Sequence, residues 1–464
     1  MTTQDDMSAM IARIAERHDV PLAVLLAIVA SFVQSGTKPN RARLEQQLTR
    51  KARAVQALRR RLARPSEDAS VTARRAAASR ALETGQFGEI ERTLAQIELH
   101  FFGGMTDLAA MPKDQRVAAG ETRADRAATA MLSLTPAACR EAAQRYAEAA
   151  AIIGSADIAR SRGLASMQGD ALARIGEDFG DRTGFEAAIA HYRSLLGTLD
   201  NFDDTVAWAS VQERLGRALA GLSAVTGDEA LLDQASSCYA TALEDLRQDQ
   251  APVLWRALKV RFARIAFTLG EAREDETLLE EAIAALASAL AVWKRDGDDP
   301  RWLEAEQLIS RARAALGQRT SDLALLERAF NGFNRVSKAI DRTREPLRWA
   351  ELQDQMGGVL AAMGERYSEP VVLEEAIVAF GSALDVRRRE TSPQLWAQSS
   401  ANQGLASLKL AARLQDRARA QQAFMQIAGA LEAMREGGYT ADVAALQKKL
   451  VIAGGLVEAM AARA

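Results

Sequence analysis

The sequence predicts an all-α protein made of stacked helix pairs, and three observations predict it. The 464-residue chain is 48% apolar but only 5% aromatic, so Ala and Leu carry the apolar content, a composition that favours helix over sheet. Five of the six tryptophans, Trp208, Trp255, Trp302, Trp349 and Trp396, follow one another at 47-residue steps without an insertion or deletion. The same step carries a small residue eight positions past each Trp (Gly216, Ala263, Ser310, Gly357, Gly404). Nineteen positions further on it carries an alanine (Ala235, Ala282, Ala329, Ala376, Ala423). Stepping back once gives Gly169 and Ala188, a sixth unit in which Ser161 replaces the Trp. Length alone suggests roughly three domains; a strict internal period instead marks one quasi-linear array. Ample apolar content and the lack of a glycine period exclude disorder and collagen-like structure.

Residues 1–70 read as an N-terminal helical region. The opening MTTQDDMSAM is acidic and lacks the basic start of a secretory signal. Val20 to Val33 is the most apolar run, fourteen residues interrupted by Pro21 and Ser31. That is too short to span a bilayer and fits a buried helix. Residues 41–64 hold nine Lys or Arg and one acid, Glu45, around a stripe of Leu44, Leu48, Val55, Leu58 and Leu62 that Lys51 breaks. Two readings stand. The helix recruits an acidic partner or nucleic acid, or its stripe packs on Val20–Val33 or on the first repeat while the charges face solvent. No aromatic residues interleave the charges, as a nucleic-acid groove would want. Residues 1–80 carry 15 Lys/Arg against 7 Asp/Glu, while the whole chain is at −2. A basic cap on an acidic array follows, and a chain that binds nucleic acid along its length is excluded.

Residues 71–155 predict two degenerate helix pairs. Ala142, Tyr146 and Ala149 share one helical face, and Ala78, Ile90, Leu94 and Ile97 flank a Gly85–Phe87 turn, with His100 to Thr106 as linker. Residues 156–439 hold the six regular units. In each, the alanine begins a spacing of four then three, as in Ala188, Tyr192 and Leu195, so a ring is flanked by small residues on one face. The small column lets the two helices of a unit approach closely. Pro252, Pro300, Pro346 and Pro393 mark where first helices begin, with Asp299 and Ser392 as their N-caps. Residues 440–464 read as a closing helix, Thr440 to Leu450, and a tail loosened by Gly454 and Gly455.

A small residue followed by Ala-x-x-x-Phe/Tyr-x-x-Ala resembles the tetratricopeptide repeat, whose unit is about 34 residues. Ser392-Pro-Gln-Leu-Trp-Ala and Leu373-Glu-Glu-Ala-Ile resemble a long-repeat bacterial subgroup. The added length is expected before the second helix, around Glu271 to Thr277, and in an earlier start of the first helix. HEAT-type repeats, about 40–47 residues long, rival this by length, but the Ala/aromatic column favours the tetratricopeptide kind. The resemblance implies a right-handed α-α superhelix with an N-terminal helical cap and a concave groove lined by first helices. Transferred residue by residue, the position after the small column faces the groove: Asp170, Arg217, Arg264, Arg311, Gly358 and Leu405. Glu213, Glu304, Glu351 and Asp354 are its neighbours. Arginine forks suit a carboxylate-bearing peptide; alternatively these arginines and acids pair with each other across repeats.

Nothing in the sequence assembles a catalytic centre. Cys139 and Cys238 are far apart and fit free thiols in a reducing, cytoplasmic setting. His18, His100 and His191 have no i,i+4 partner, so no metal is expected, and no phosphate-cradling glycine loop or other cofactor motif occurs. Residues 15–36 superficially resemble the opening helix of a lytic transglycosylase. Gln34 stands where its glutamate would be, and an amide cannot donate the proton. The expected function is a non-catalytic scaffold that binds a protein or peptide in the groove, with no nucleic acid and no membrane span. The alternative is a sensor whose groove occupancy is relayed by the N-terminal helices.

Overall fold

A computed structural model describes residues 3–33, 41–104, 107–199, 204–293, 300–367 and 370–462. Among them every regular element is a helix, and none is long and apolar enough to cross a membrane. The chain forms two compact units, Met1–Pro252 and Val253–Ala464.

The first unit opens with α1 (Thr3–Arg17), α2 (Leu22–Val33) and α3 (Arg41–Leu62), then α4 (Ala69–Glu83) and α5 (Phe87–Phe102). The stripe of α3 is fully inside: Leu44, Leu48, Val55, Leu58 and Leu62 share one core with Val24, Leu25 and Ile28 of α2 and with Leu82, Ile90 and Leu94 of the next pair. Lys51, which interrupts that stripe, is buried with it and donates to the carbonyls of Met131 and Ser133. Burial of the ammonium pushes its pKa down to about 8. There follow α6 (Lys113–Ala130), α7 (Pro136–Ile153), α8 (Ile158–Phe179), α9 (Arg182–Leu196), α10 (Thr205–Thr226) and α11 (Ala230–Asp245). From α4 to α11 each helix packs on the next, and α10 also touches α8.

The second unit holds α12 (Pro252–Ala272), α13 (Glu276–Ala291), α14 (Pro300–Thr320), α15 (Leu323–Ala339), α16 (Pro346–Gly364), α17 (Val371–Leu384), α18 (Pro393–Leu414), α19 (Arg417–Glu436) and α20 (Thr440–Ala462). From α13 onward each helix again packs on its successor, and α14 touches α16 and α16 touches α18. Arg319, Arg366 and Arg413, at 47-residue steps near the ends of α14, α16 and α18, tie these neighbours together. They donate to the carbonyls of Gly270 (2.9 Å), Gln318 (3.1 Å) and Gly364 (2.8 Å), groups that a helix end leaves without partners.

The periodic residues explain the pairing. The alanine column is sealed, with Ala188, Ala235, Ala282, Ala329 and Ala376 at 0% exposure. Gly169 lies against the Tyr192 ring and Gly176 against Phe185, so contacts climb one helix as they descend the other and the pair is antiparallel. A Cβ on Gly216 would stand 2.5 Å from Tyr239. At Ser310 the space is ceded from the other side, where Gly332 of α15 takes its hydroxyl.

Several local readings need correction. The added length does not sit before the second helix: Glu271 and Ala272 belong to α12 and Glu276 and Thr277 to α13, leaving a three-residue turn. It lies in longer helices and in connections after the second helix, such as 246–251 and 340–345. Five of the pair turns share a column of their own. A left-handed residue (Gly180, Gly227, Glu274, Ser321, Gln415) precedes an aspartate (Asp181, Asp228, Asp275, Asp322, Asp416) that accepts backbone N–H groups opening the second helix. Ser392 stands before Pro393 but does not cap with its side chain; the hydroxyl donates back to the Arg388 carbonyl. His100 to Phe102 end α5 rather than starting the linker, with Gly103 in the left-handed region as its stop. The last helix runs on through Gly454 and Gly455, because Ala453 and Met460 are buried against α18 and α19. Gln34 and Asp299 lie outside the described residues.

Candidate functional site

In the first unit, Asp170 of α8 and Arg217 of α10 meet. Arg217 Nη2 is 2.9 Å from Asp170 Oδ1, its Nε 3.4 Å from Glu177 and its Nη1 3.9 Å from the buried Glu213. Arg214 takes the other Asp170 oxygen at 3.2 Å, and the Tyr192 hydroxyl donates to Asp170 at 2.8 Å. Burial opposes the charge on Arg217, but Glu213, Asp170 and Glu177 outweigh it and raise its pKa. Burial, then the Asp170 charge, push the Tyr192 hydroxyl well above its ordinary value. Three predicted site residues, Asp170, Glu213 and Arg217, are therefore committed to one internal network.

The basic helix joins the same acidic field. Arg50 pairs with Asp178 and reaches Glu177 at 3.9 Å, Arg61 lies 3.2 Å from Asp125, and Arg64 lies 3.1 Å from Glu121. Arg59 pairs with Glu83 of α4 at 2.8 Å and reaches Asp19 at 3.6 Å, so the acidic partners of this helix are carboxylates of the same chain. Arg60 is exposed and forms no ion pair among the described residues.

The second unit is different. Arg264 of α12 is exposed and makes no ion pair among the described residues. It shares a hollow of ≈210 Å³ with Glu304, Arg256 and Trp293, where the Arg256 guanidinium stands 5.2 Å from the indole centroid. Arg311 of α14, also exposed, lies over Phe267 at 4.8 Å. It lines a second hollow of ≈260 Å³ with Asp354 and Gly358 of α16 and Asn402 of α18. Asp354 Oδ1 is 3.6 Å from Arg387, yet that oxygen is buried without a hydrogen bond. Glu351 accepts from Gln307 (3.2 Å) and Gln355 (3.0 Å). Leu405 packs into the apolar core between α18 and α19.

The structure thus brings Arg311, Asp354 and Gly358 to one hollow and Arg264 and Glu304 to another. Sequence reasoning missed Trp293, the sixth tryptophan, because it falls outside the 47-residue column. It also missed Asn402, though Gln355 stands 47 residues before it and the step could have found the pair. The hollows are each about the size that one or two side chains fill, smaller than the ~300 Å³ at which sites for drug-sized ligands begin. Exposed guanidiniums beside aromatic rings offer a carboxylate both a charge-assisted fork and a flat apolar wall.

No family model matches the chain, and no curated protein matches it. Among solved structures it is similar to a Signal Transduction ATPase with Numerous Domains protein with a tetratricopeptide repeat sensor from Pyrococcus horikoshii. The identity is 13% and the TM-score 0.49, over 89% of this chain and 55% of that one. It is also similar to the human IFIT1 dimer with PPP-AAAA (10% identity, TM-score 0.36, 97% and 95% covered). A third is a circular tandem repeat protein with novel repeat topology (15%, TM-score 0.22, 98% of each chain). The chain spans 55% of the archaeal protein's length. Its own geometry, antiparallel α-helix pairs packed in sequence with small residues against rings, makes the fold an all-α, tetratricopeptide-like repeat.

Proposed function

We propose that the protein is a non-catalytic, cytoplasmic scaffold that captures a carboxylate-bearing segment of another protein on first helices of the second unit. One observation carries the reading: Arg264 and Arg311 are exposed and make no ion pair among the described residues, whereas Arg217 does, and Arg311 lies over the Phe267 ring. A guanidinium held ready without an internal acid costs little to expose and gains a charge-assisted pair when a partner's Asp, Glu or terminal carboxylate enters. Arg217 drops out of the predicted contact set on this reading. The test is affinity capture from the native host, followed by titration of the recovered partner on wild type and on Arg264→Glu/Arg311→Glu. A loss of affinity of about tenfold or more is expected. Equal affinity would remove the groove arginines from the interface and with them this reading.

A second reading, a sensor relayed by the N-terminal helices, draws support from the ion pairs of α3. Through Arg50 and Arg61, and Arg64 just past its end, this helix is coupled to α6 and α8, so anything that changes those pairs changes how the N-terminal helices are held.

A further inference from the structure

Between α3 and the helices α6 to α8 lies a cavity of ≈540 Å³ within the first unit. Its size falls in the range of small-molecule sites. Ala54, Ala57, Met131, Tyr146 and Met167 supply apolar lining, and an adjoining hollow of ≈280 Å³ shares Arg61, Arg64 and Met167 with it.

Charge in this space is unbalanced. Five arginines (60, 61, 64, 160 and 174) and three carboxylates (Glu121, Asp125, Asp170) line the two hollows. The carboxylates are already shared. Asp170 serves Arg214 and Arg217. Glu121 serves both Arg64 and Arg160, at 3.1 and 3.5 Å. Arg160 also reaches Asp157 (3.4 Å), and Arg174 has Glu177 (2.6 Å), which Arg50 and Arg217 use as well. Arg60 has no acid among the described residues. Arg61 reaches Asp125 through its buried Nε at 3.2 Å, but out of line for a hydrogen bond, so that pair is weaker than an aligned one. Positive charge in excess, a misaligned guanidinium–carboxylate pair and apolar walls specify a ligand with an acidic head and an apolar body.

We propose that this cavity is a site for a small amphipathic anion, its head between Arg60, Arg61 and Arg64 and its body against Met131, Tyr146 and Met167. The site is separate from the groove of the second unit. It gives the sensor reading a ligand class and rests on that reading only for the relay, not for binding. A ligand seated there touches α3 on one side and α8 on the other, so it clamps the N-terminal helices onto the repeats.

The probe is 8-anilinonaphthalene-1-sulfonate, an aromatic anion whose fluorescence rises in apolar surroundings, titrated into the full chain. One saturable site is expected, displaced by decanoate or decyl phosphate but not by decyltrimethylammonium or inorganic phosphate. Whichever of the two acids displaces better identifies the head as carboxylate or phosphate. Met167→Trp, which fills the cavity, and Arg60→Glu/Arg64→Gln, on its exposed edge, should each weaken binding by about tenfold or more. Arg264→Glu/Arg311→Glu should leave it unchanged. Should Met167→Trp misfold by circular dichroism, the arginine pair alone decides. Equal binding in the arginine variant, or equal displacement by the cationic amphiphile, overturns the site. Hydrogen exchange of the α3 amides, measured with and without decanoate, separates the two claims. Slower exchange supports both, while bound decanoate with unchanged exchange keeps the site and removes the relay.

Discussion

The two units are built from the same 47-residue step, yet they spend their arginines differently. In the first, Arg217 is enclosed by Asp170, Glu177 and Glu213, and the Arg face of α3 takes Asp178, Asp125 and Glu121. In the second, the equivalent positions Arg264 and Arg311 are exposed, Arg311 over the Phe267 ring and Arg264 at the hollow that Trp293 lines. A sequence column therefore fixes where a side chain stands, not what it does. The role is decided by which acids lie within a few ångströms: Arg217 finds Asp170 one step back in its own column and Glu177 and Glu213 beside it, whereas Arg264 and Arg311 have Arg217 and Arg264 at that step.

Charge reversal breaks the comparison most directly. Arg217→Glu adds a fourth carboxylate to three that already crowd together, and it removes a cation from beside the buried Glu213. A loss of about 2–3 kcal/mol is expected, after discounting for the one-third exposure of Arg217. Arg264→Glu and Arg311→Glu should each stay within about 0.5 kcal/mol of wild type. Urea midpoints at constant slope measure both, and equal losses at all three positions would erase the distinction between the units.

Next comes a pH effect confined to the first unit. Lys51 is held near a pKa of about 8 against 10.5 for the free side chain. Between these values the unfolded chain keeps a proton that the folded one has released, so stability rises with pH and is lost again as pH falls through the folded value. The gain from pH 7 to 9.5, relative to Lys51→Met, should be on the order of 2 kcal/mol by the linkage relation. A flat difference between the two proteins across that window would show that the ammonium is not desolvated. Smaller still, Gly216→Ala should cost about 1.5 kcal/mol by pushing on Tyr239. Ala263, the equivalent residue in the second unit, is already accommodated at 0% exposure.

Much of the fold was legible because its signals are local and repeated. The alanine column, the prolines at Pro300, Pro346 and Pro393, and the stripe of α3 each announce a helix face or start without reference to the rest of the chain. What escaped was of two kinds. The aspartate column from Asp181 to Asp416 and the arginines 319, 366 and 413 are periodic and could have been found by the same 47-residue step. Charged residues draw less notice than tryptophan, however, because they abound on every exposed face. Pairing of Arg217 with Asp170 and Glu213 was one of the two readings the column offered, but the cavity beside α3 was not legible at all. It depends on α3 being laid against α6 and α8, a contact between residues more than a hundred positions apart, as with Arg50 and Asp178.

The smallest expected effect lies in the turns, where the two units again part. The residue before the capping aspartate is Gly180 or Gly227 in the first unit but Glu274, Ser321 or Gln415 in the second, all with positive φ. A side chain with a Cβ strains this left-handed conformation by roughly 1 kcal/mol, while glycine gives part of that back through the greater freedom of its unfolded state. Glu274→Gly should therefore stabilise the second unit by about 0.5 kcal/mol, provided Asp275 keeps its bonds to the N–H groups of Thr277 and Leu278. Glu274→Ala separates conformation from side-chain chemistry, since it removes the carboxylate and retains the Cβ. A gain with glycine but not with alanine assigns the effect to φ. A gain with both would instead place it in the carboxylate, two residues before the Glu276 that opens α13, and the difference between the units at this column would then be electrostatic rather than conformational.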